Sequence, residues 1–65
     1  MNLTDKFLAD IKTFMRKHKM SYTLFGIKAM QDPHAVFEWL SGRRKPFMKS
    51  VDRVYTFMSS YKPED

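Results

Sequence analysis

Residues 22–46 contain a break that constrains the fold more than any other feature of the chain. Two short segments with apolar residues at helical spacing lie on either side of Gln31, Asp32 and Pro33. Proline disfavours the helical conformation in the residue before it, and its own fixed φ suits the first position of a new helix. The chain therefore cannot pass through this region as one helix, and we predict two short helices joined by a tight turn.

Apolar residues also recur at steps of three and four elsewhere in the chain, and alternation at period two is absent. This periodicity predicts an all-α fold of four helices, at about residues 3–18, 22–30, 33–41 and 48–61. Ser21 is suited to cap the second helix, and Gly42 to end the third. We assign residues 1–62 to a single domain and residues 63–65 to a short polar tail.

Composition limits the classes of function. The chain has no cysteine, so disulfide bonds and thiolate metal sites are excluded. Twelve Lys and Arg against seven Asp and Glu give a net charge of +5. Such an excess indicates a polyanionic partner, but it does not distinguish DNA, RNA and anionic lipid. No apolar run is long enough to span a bilayer and no signal-peptide layout is present, so we expect a soluble protein in a reducing cytoplasm.

The residue types needed for catalysis or metal binding are not grouped in the sequence. No nucleophile–base pairing and no phosphate-cradling glycine loop is visible, so we expect neither an enzyme nor a cofactor. His18 and His34 are far apart in sequence and lack cysteine partners, which argues against a metal site. His18 is better explained as a cation at the end of the first helix or as a residue at the edge of the core.

A cationic turn of sequence GRRKP, at 42–46, follows the third predicted helix and precedes an amphipathic fourth helix. In the two helices before this turn, Gly26 is a small residue of the first, and Val36 and Trp39 are apolar residues of the second. In these features residues 21–58 resemble the lambda-repressor-like helix-turn-helix family, to which phage Cro proteins and many small bacterial regulators belong. The resemblance implies that Gly26 lies where the two motif helices cross and that Val36 and Trp39 are buried.

The resemblance implies a sequence-specific regulator that binds double-stranded DNA. A phage or prophage repressor acting as a dimer on an inverted-repeat operator, in the bacterial cytoplasm and associated with the nucleoid, is the implied context. No membrane and no small-molecule substrate are implied. By position, the residues that would contact the DNA backbone are Ser21, Tyr22, Thr23, Ser41, Arg43, Arg44 and Lys45. The residues that would read base edges are His34, Ala35, Phe37 and Glu38.

The turn between the two motif helices departs from the family pattern. Relatives commonly have glycine there, because a left-handed backbone is least costly for glycine, and Met30 occupies the aligned position. Either Met30 adopts this backbone at a cost of about 1–2 kcal/mol, or the turn is built around Gln31 and Asp32 instead.

The fourth helix carries more apolar surface than one core contact needs. Val51, Val54 and Met58 already form a face, and Phe57 lies beyond it. Surplus aromatic surface on a small domain is commonly an interface. We therefore assign Phe57 and Tyr61 to a dimer interface, although Phe57 could instead pack under the first helix.

Several other interpretations remain open. The basic turn could be a solvated surface, Phe37 a core residue and Glu38 an ordinary surface acid. The chain could be a protein-interaction module on the same fold, such as a small phage-encoded inhibitor, without DNA binding. A third alternative is a membrane-active amphipathic peptide, since cations flank the apolar stripe of the first predicted helix, at Lys6, Lys12, Arg16, Lys17 and Lys19. Such a peptide does not need the capped helix breaks of this chain.

Overall fold

The computed structural model describes residues 2–62, and within this range it contains four α-helices and no strand. The helices are α1 (Leu3–His18), α2 (Tyr22–Met30), α3 (Ala35–Ser41) and α4 (Met48–Ser60). The prediction of an all-α, four-helix fold is therefore confirmed, and the tail predicted at 63–65 lies outside the described residues. None of these helices combines the length and apolar character that a membrane span requires.

Side-chain caps explain where the first two helices begin. The Asn2 side chain accepts a hydrogen bond from the backbone N–H of Asp5 at 2.8 Å, and the Ser21 hydroxyl oxygen accepts one from the N–H of Leu24 at 3.1 Å. Each contact satisfies an N–H group that has no acceptor inside its own helix. The structure accordingly confirms the predicted bounds of both helices.

The turn between α2 and α3 is built around Gln31 and Asp32, the second of the two predicted arrangements. Gln31 has a left-handed backbone with φ 55°, whereas Met30 remains inside α2. The Asp32 carboxylate then accepts a hydrogen bond from the His34 N–H at 3.0 Å, which stabilises a tight turn before α3. Because of this turn α3 begins at Ala35, and the predicted start at residue 33 is two residues too early.

Gly26 permits the close approach of α2 to this turn. A Cβ atom at residue 26 would overlap the backbone carbonyl oxygen of Asp32. The N–H of Asp32 donates a hydrogen bond to the Gly26 carbonyl at 3.1 Å, so the two backbones are held in contact. The backbone geometry therefore requires a small residue at position 26, and the group that it approaches belongs to the turn before α3 and not to α3 itself.

The core is apolar and contains two groups of aromatic rings. In the first, the Phe7 ring on α1 lies 5.5 Å from Trp39 on α3 and 5.6 Å from Tyr55 on α4. Among residues 2–62 no polar or charged side chain is buried. The buried apolar residues are Phe7, Ile11, Met15, Phe25, Ala29, Ala35, Val36, Trp39 and Val54. Burial of this surface, with tilted ring contacts, holds the helices together.

The second aromatic group contradicts one prediction. The Phe57 ring lies 5.5 Å from Phe25 and 5.8 Å from Phe14, while Tyr61 lies 5.4 Å from Phe14 and 4.9 Å from His18. Phe57 therefore packs between α1 and α2, which is close to the alternative that it packs under the first helix, and it is not surplus to the core. The dimer stays a prediction, but the surplus aromatic surface that placed Phe57 and Tyr61 in its interface is absent. His18 lies at the edge of the core, one of its two predicted environments.

Replacing Gly26 with alanine should destabilise the fold. The added methyl group would force the Asp32 carbonyl away, and overpacking of this kind costs about 1–3 kcal/mol. We expect the midpoint of urea unfolding to fall by the corresponding amount, whereas Lys28→Ala, an exposed change on the same helix, should leave it nearly unchanged. Equal midpoints for the two variants would contradict the close approach.

Replacing Gln31 with glycine should have the opposite effect. The left-handed backbone costs a residue with a side chain about 1–2 kcal/mol, and the greater unfolded-state entropy of glycine offsets part of the gain. We expect a net stabilisation of about 0.5–1 kcal/mol in urea unfolding. Lys28→Gly serves as the control, because glycine inside a helix should lower stability by about 1 kcal/mol. A loss of stability in Gln31→Gly would rule out the left-handed conformation.

Candidate nucleic-acid interface

Two of the four side chains predicted to read bases are exposed on the outer face of α3. His34 is exposed at the start of the helix, and Phe37 is 55% exposed. Glu38 is partly exposed, but Ala35 has no exposed surface at all. The assignment of Ala35 to base reading is therefore wrong, because its side chain points into the core and cannot touch a ligand.

Arg44 lies between two carboxylates. One of its guanidinium nitrogens is 3.0 Å from the Asp32 carboxylate, and the other is 4.0 Å from that of Glu38. All three side chains are partly exposed, so the pairs add little to stability, but they compensate the charge of Arg44. Arg44 therefore joins the turn before α3 to the turn after it and is less available to an external anion than its sequence position indicated.

The backbone of the basic turn is fixed to the last turn of α3. The Glu38 carbonyl oxygen accepts hydrogen bonds from the N–H groups of Arg43 at 3.1 Å and Arg44 at 3.3 Å. The Ser41 hydroxyl also donates to this carbonyl, at 3.2 Å, so its single proton is already used inside the protein. Within residues 2–62 the exposed side chains of Arg43 and Lys45 form no ion pair. These two cations are thus the part of the turn that faces solvent with uncompensated charge.

The start of α2 also presents groups that suit an anion. Ser21, Tyr22 and Thr23 are all exposed. Because the Ser21 hydroxyl oxygen accepts a hydrogen bond from the Leu24 N–H, its proton remains available to donate outwards. The first N–H groups of a helix have no acceptor within it and lie at the positive end of its dipole. All three predicted residues are therefore accessible. The Ser21 hydroxyl and the first backbone N–H groups of α2 are adjacent hydrogen-bond donors.

Sequence reasoning missed two features of this surface. The pairing of Asp32 with Arg44 joins residues on opposite sides of α3, and no local pattern indicates it. The second feature is a cleft beside the start of α2 that is lined by Lys12 and Arg16 of α1 and by Lys19, the residue after it. The spacing of Lys12 and Arg16 was a usable signal, since four residues place them on one helical face.

Comparisons with protein families, curated proteins and solved structures found no match to this chain. In the part of the chain described by the structure, no group of three or more His, Asp or Glu side chains is arranged to hold a metal ion. The geometry and charge of the surface itself are therefore the indications of its function.

The stability of the protein should depend on Asp32 in a pH-dependent manner. The His34 N–H and, after it, the Arg44 guanidinium hold the pKa of Asp32 below its ordinary value of 3.8. A carboxylate with a lowered folded-state pKa stabilises the fold above its unfolded-state pKa, and this contribution is lost as the pH falls through the folded-state value. Asp32→Asn should therefore lower the melting temperature at pH 7, and the difference from the unmodified protein should disappear in strong acid.

Asp52→Asn provides the matched control, because it removes the same charge from an exposed position on α4 that has no ion pair within residues 2–62. Its effect on the melting temperature at pH 7 should be smaller. A difference between Asp32→Asn and the unmodified protein that persists unchanged from pH 7 to pH 2 would contradict the role given to the carboxylate.

Proposed function

We propose that the protein is a small regulator that binds double-stranded DNA, with α2 and α3 acting as a helix-turn-helix and α3 as its recognition helix. The observation that carries this proposal is the cationic turn fixed by the Glu38 carbonyl directly after the exposed face of α3. The resemblance of residues 21–58 to the lambda-repressor-like family supports it. So does the backbone contact between Gly26 and Asp32, since it holds α2 against the tight turn that leads into α3, and the motif needs a short, tight connection between its two helices.

Contacts with the DNA backbone are divided between two ends of the helix pair in this proposal. Arg43 and Lys45 would neutralise phosphates at the end of α3, and the hydroxyl of Ser21 with the first N–H groups of α2 would bind another. Arg44 has a different role, because its charge is compensated by Asp32 and Glu38. It would position the turn and would not itself be a main phosphate ligand.

Base edges would be read by His34 and Phe37. The imidazole can donate or accept a hydrogen bond, and an exposed phenyl ring can contact a thymine methyl group. Glu38 can accept from a cytosine amino group, and Arg44 would hold its carboxylate in place. Specificity would then come from few side chains, and the backbone contacts would supply most of the affinity.

A selection of binding sites from randomised duplex DNA with the purified protein tests the proposal directly. We expect a palindromic consensus, with half-sites about 34 Å apart if the regulator binds as a two-fold dimer. Light scattering on the selected duplex measures the stoichiometry, and a monomer on DNA would remove the dimer from the proposal. Recovery of no enriched duplex would reject DNA recognition itself.

One observation favours a second candidate, a protein-interaction module without DNA binding. Three apolar side chains of the two motif helices are exposed, at Leu24 (40%), Ile27 (47%) and Phe37 (55%). Exposed apolar side chains can form a protein contact where they lie side by side. Cooperative unfolding combined with no affinity for any duplex would select this candidate over the DNA-binding regulator.

Substitution of single arginines separates the two candidates. Arg43→Ala should weaken binding to the selected duplex and to random duplex by similar factors, because a phosphate contact carries no sequence information. It should also flatten the plot of log affinity against log salt by about 0.9 for each lost contact. Fluorescence anisotropy at several salt concentrations measures both effects.

Arg53→Ala is the matched control, since it removes the same side chain from an exposed position on α4. It should leave the salt dependence nearly unaltered. His34→Ala should keep the slope and reduce discrimination between selected and random duplex by about 1–3 kcal/mol. Equal slopes for the unmodified protein and Arg43→Ala would exclude the basic turn from the DNA contact.

A further inference from the structure

A cationic cleft lies between α1 and the beginning of α2, outside the residues assigned above to the basic turn and to base reading. Its volume is about 430 Å³. The residues that line it are Lys12, Met15, Arg16, Lys19, Met20 and Tyr22. Three of these six are cations and none is acidic, so the fixed side-chain charges at the cleft have one sign.

The three cations form a single stripe along and just after α1. Lys12 and Arg16 are four residues apart, which places them on one face of the helix, and Lys19, the residue after its end, lines the same cleft. Like charges at this spacing repel and destabilise a helix. The opposite arrangement occurs in the first half of α1, where Lys6 and Asp10 pair at 2.8 Å. Within residues 2–62, a cation at the beginning of α1 is thus paired, whereas the three cations of the cleft form no ion pair.

The helix dipole of α1 accounts for only part of this stripe. Cations are favoured in the last turn of a helix, and Arg16 and Lys19 lie at or just after the end of α1. Lys12 lies more than one turn before that end, where the dipole has little effect. A binding partner with negative charge explains the whole stripe, whereas the dipole explains only part of it.

The chain reversal after α1 adds further positive potential to the cleft. Lys19 has a left-handed backbone with φ 55°, and the Met20 N–H donates to the Met15 carbonyl at 2.9 Å. This reversal brings Tyr22, the first residue of α2, into the lining of the cleft. The positive dipole end of α2 therefore lies beside the cationic stripe of α1.

We infer that this cleft binds a phosphodiester group of the DNA backbone, in addition to the phosphates contacted by the basic turn. The inference rests on the proposed function, and it extends the contact surface to α1. Tyr22 links the cleft to the start of α2, because it lines the cleft and is one of the residues at the start of α2 that were assigned to the DNA backbone. The guanidinium of Arg16 provides a planar pair of donors that matches a phosphate group.

A lipid surface fits the cleft less well. Membrane-surface binding needs exposed apolar residues beside the cations. Met15 is buried and Met20 is half-buried, so Tyr22, which is 46% exposed, is the single exposed apolar ring among the lining residues named above. Vesicles containing anionic lipid provide the arm of the test that distinguishes this source of phosphate from DNA.

Charge-removing variants of the cleft test the inference. Arg16→Gln and Lys12→Gln should each weaken binding to selected and random duplex by similar factors and flatten the salt dependence by about 0.9. Lys17→Gln is the matched control, because Lys17 is an exposed cation of the same helix that does not line the cleft. It should leave the slope close to that of the unmodified protein. Arg16→Lys should restore most of the slope, since the charge is kept.

The outcomes separate failure of the cleft from failure of the proposed function. The slope of log affinity against log salt is compared among the variants. If this slope is the same for Arg16→Gln, Lys12→Gln and the control Lys17→Gln, but smaller for Arg43→Ala, the protein binds DNA and the cleft does not contribute. If the unmodified protein binds no duplex, both proposals are rejected. Binding to anionic vesicles that Arg16→Gln abolishes, without an effect on duplex binding, would assign the cleft to lipid phosphate and overturn the inference. All variants alter exposed side chains, and a thermal melt verifies that each is folded.

Discussion

The contact between the Gly26 backbone and the Asp32 carbonyl is the constraint on which the α2–α3 pair depends. Only a residue without a side chain allows this approach, and the hydrogen bond from Asp32 back to Gly26 keeps it in place. The orientation of α3 follows from it, because the same short segment leads directly into that helix. Val36 consequently faces the core, and Phe37, the next residue, faces solvent. The chemistry of the outer surface of α3 is therefore set by an interaction on its inner side.

Asp32 couples this backbone contact to the charges of the surface. Its carbonyl lies against α2, whereas its carboxylate binds the His34 N–H and the Arg44 guanidinium. One residue thus links the entry to α3 with the turn that follows its end. The positive charges of the surface therefore differ in their surroundings: Arg44 is compensated by Asp32, whereas Arg43 and the cations of the α1 cleft form no ion pair among residues 2–62.

The sequence predicted the features that depend on local chemistry. The bounds of α1 and α2 were predicted correctly because capping side chains mark their starts. The start of α3 was not, since the Asp32 side chain stabilises a turn that competes with the first helical residues. Ala35 was misplaced because a seven-residue helix repeats its pattern too few times to fix which face is buried. Phe57 was misplaced because α4 packs on two neighbours, α1 and α2, and needs a wider apolar arc than one contact would. Pairs such as Arg44 with Asp32 depend on tertiary geometry, which local patterns do not contain.

The position of Trp39 gives the protein an internal optical reporter. It is the single tryptophan of the chain, it is 4% exposed, and its ring lies 5.5 Å from that of Phe7. Its fluorescence therefore originates where α3 rests on α1, on the side of α3 away from His34 and Phe37. A ligand on the outer face of α3 cannot touch the indole. A change in emission when a ligand binds would consequently reach the indole through the protein, by the electric field of the ligand or by a shift of α3 within the core, and constant emission would indicate that the helix accepts its ligand as a rigid body.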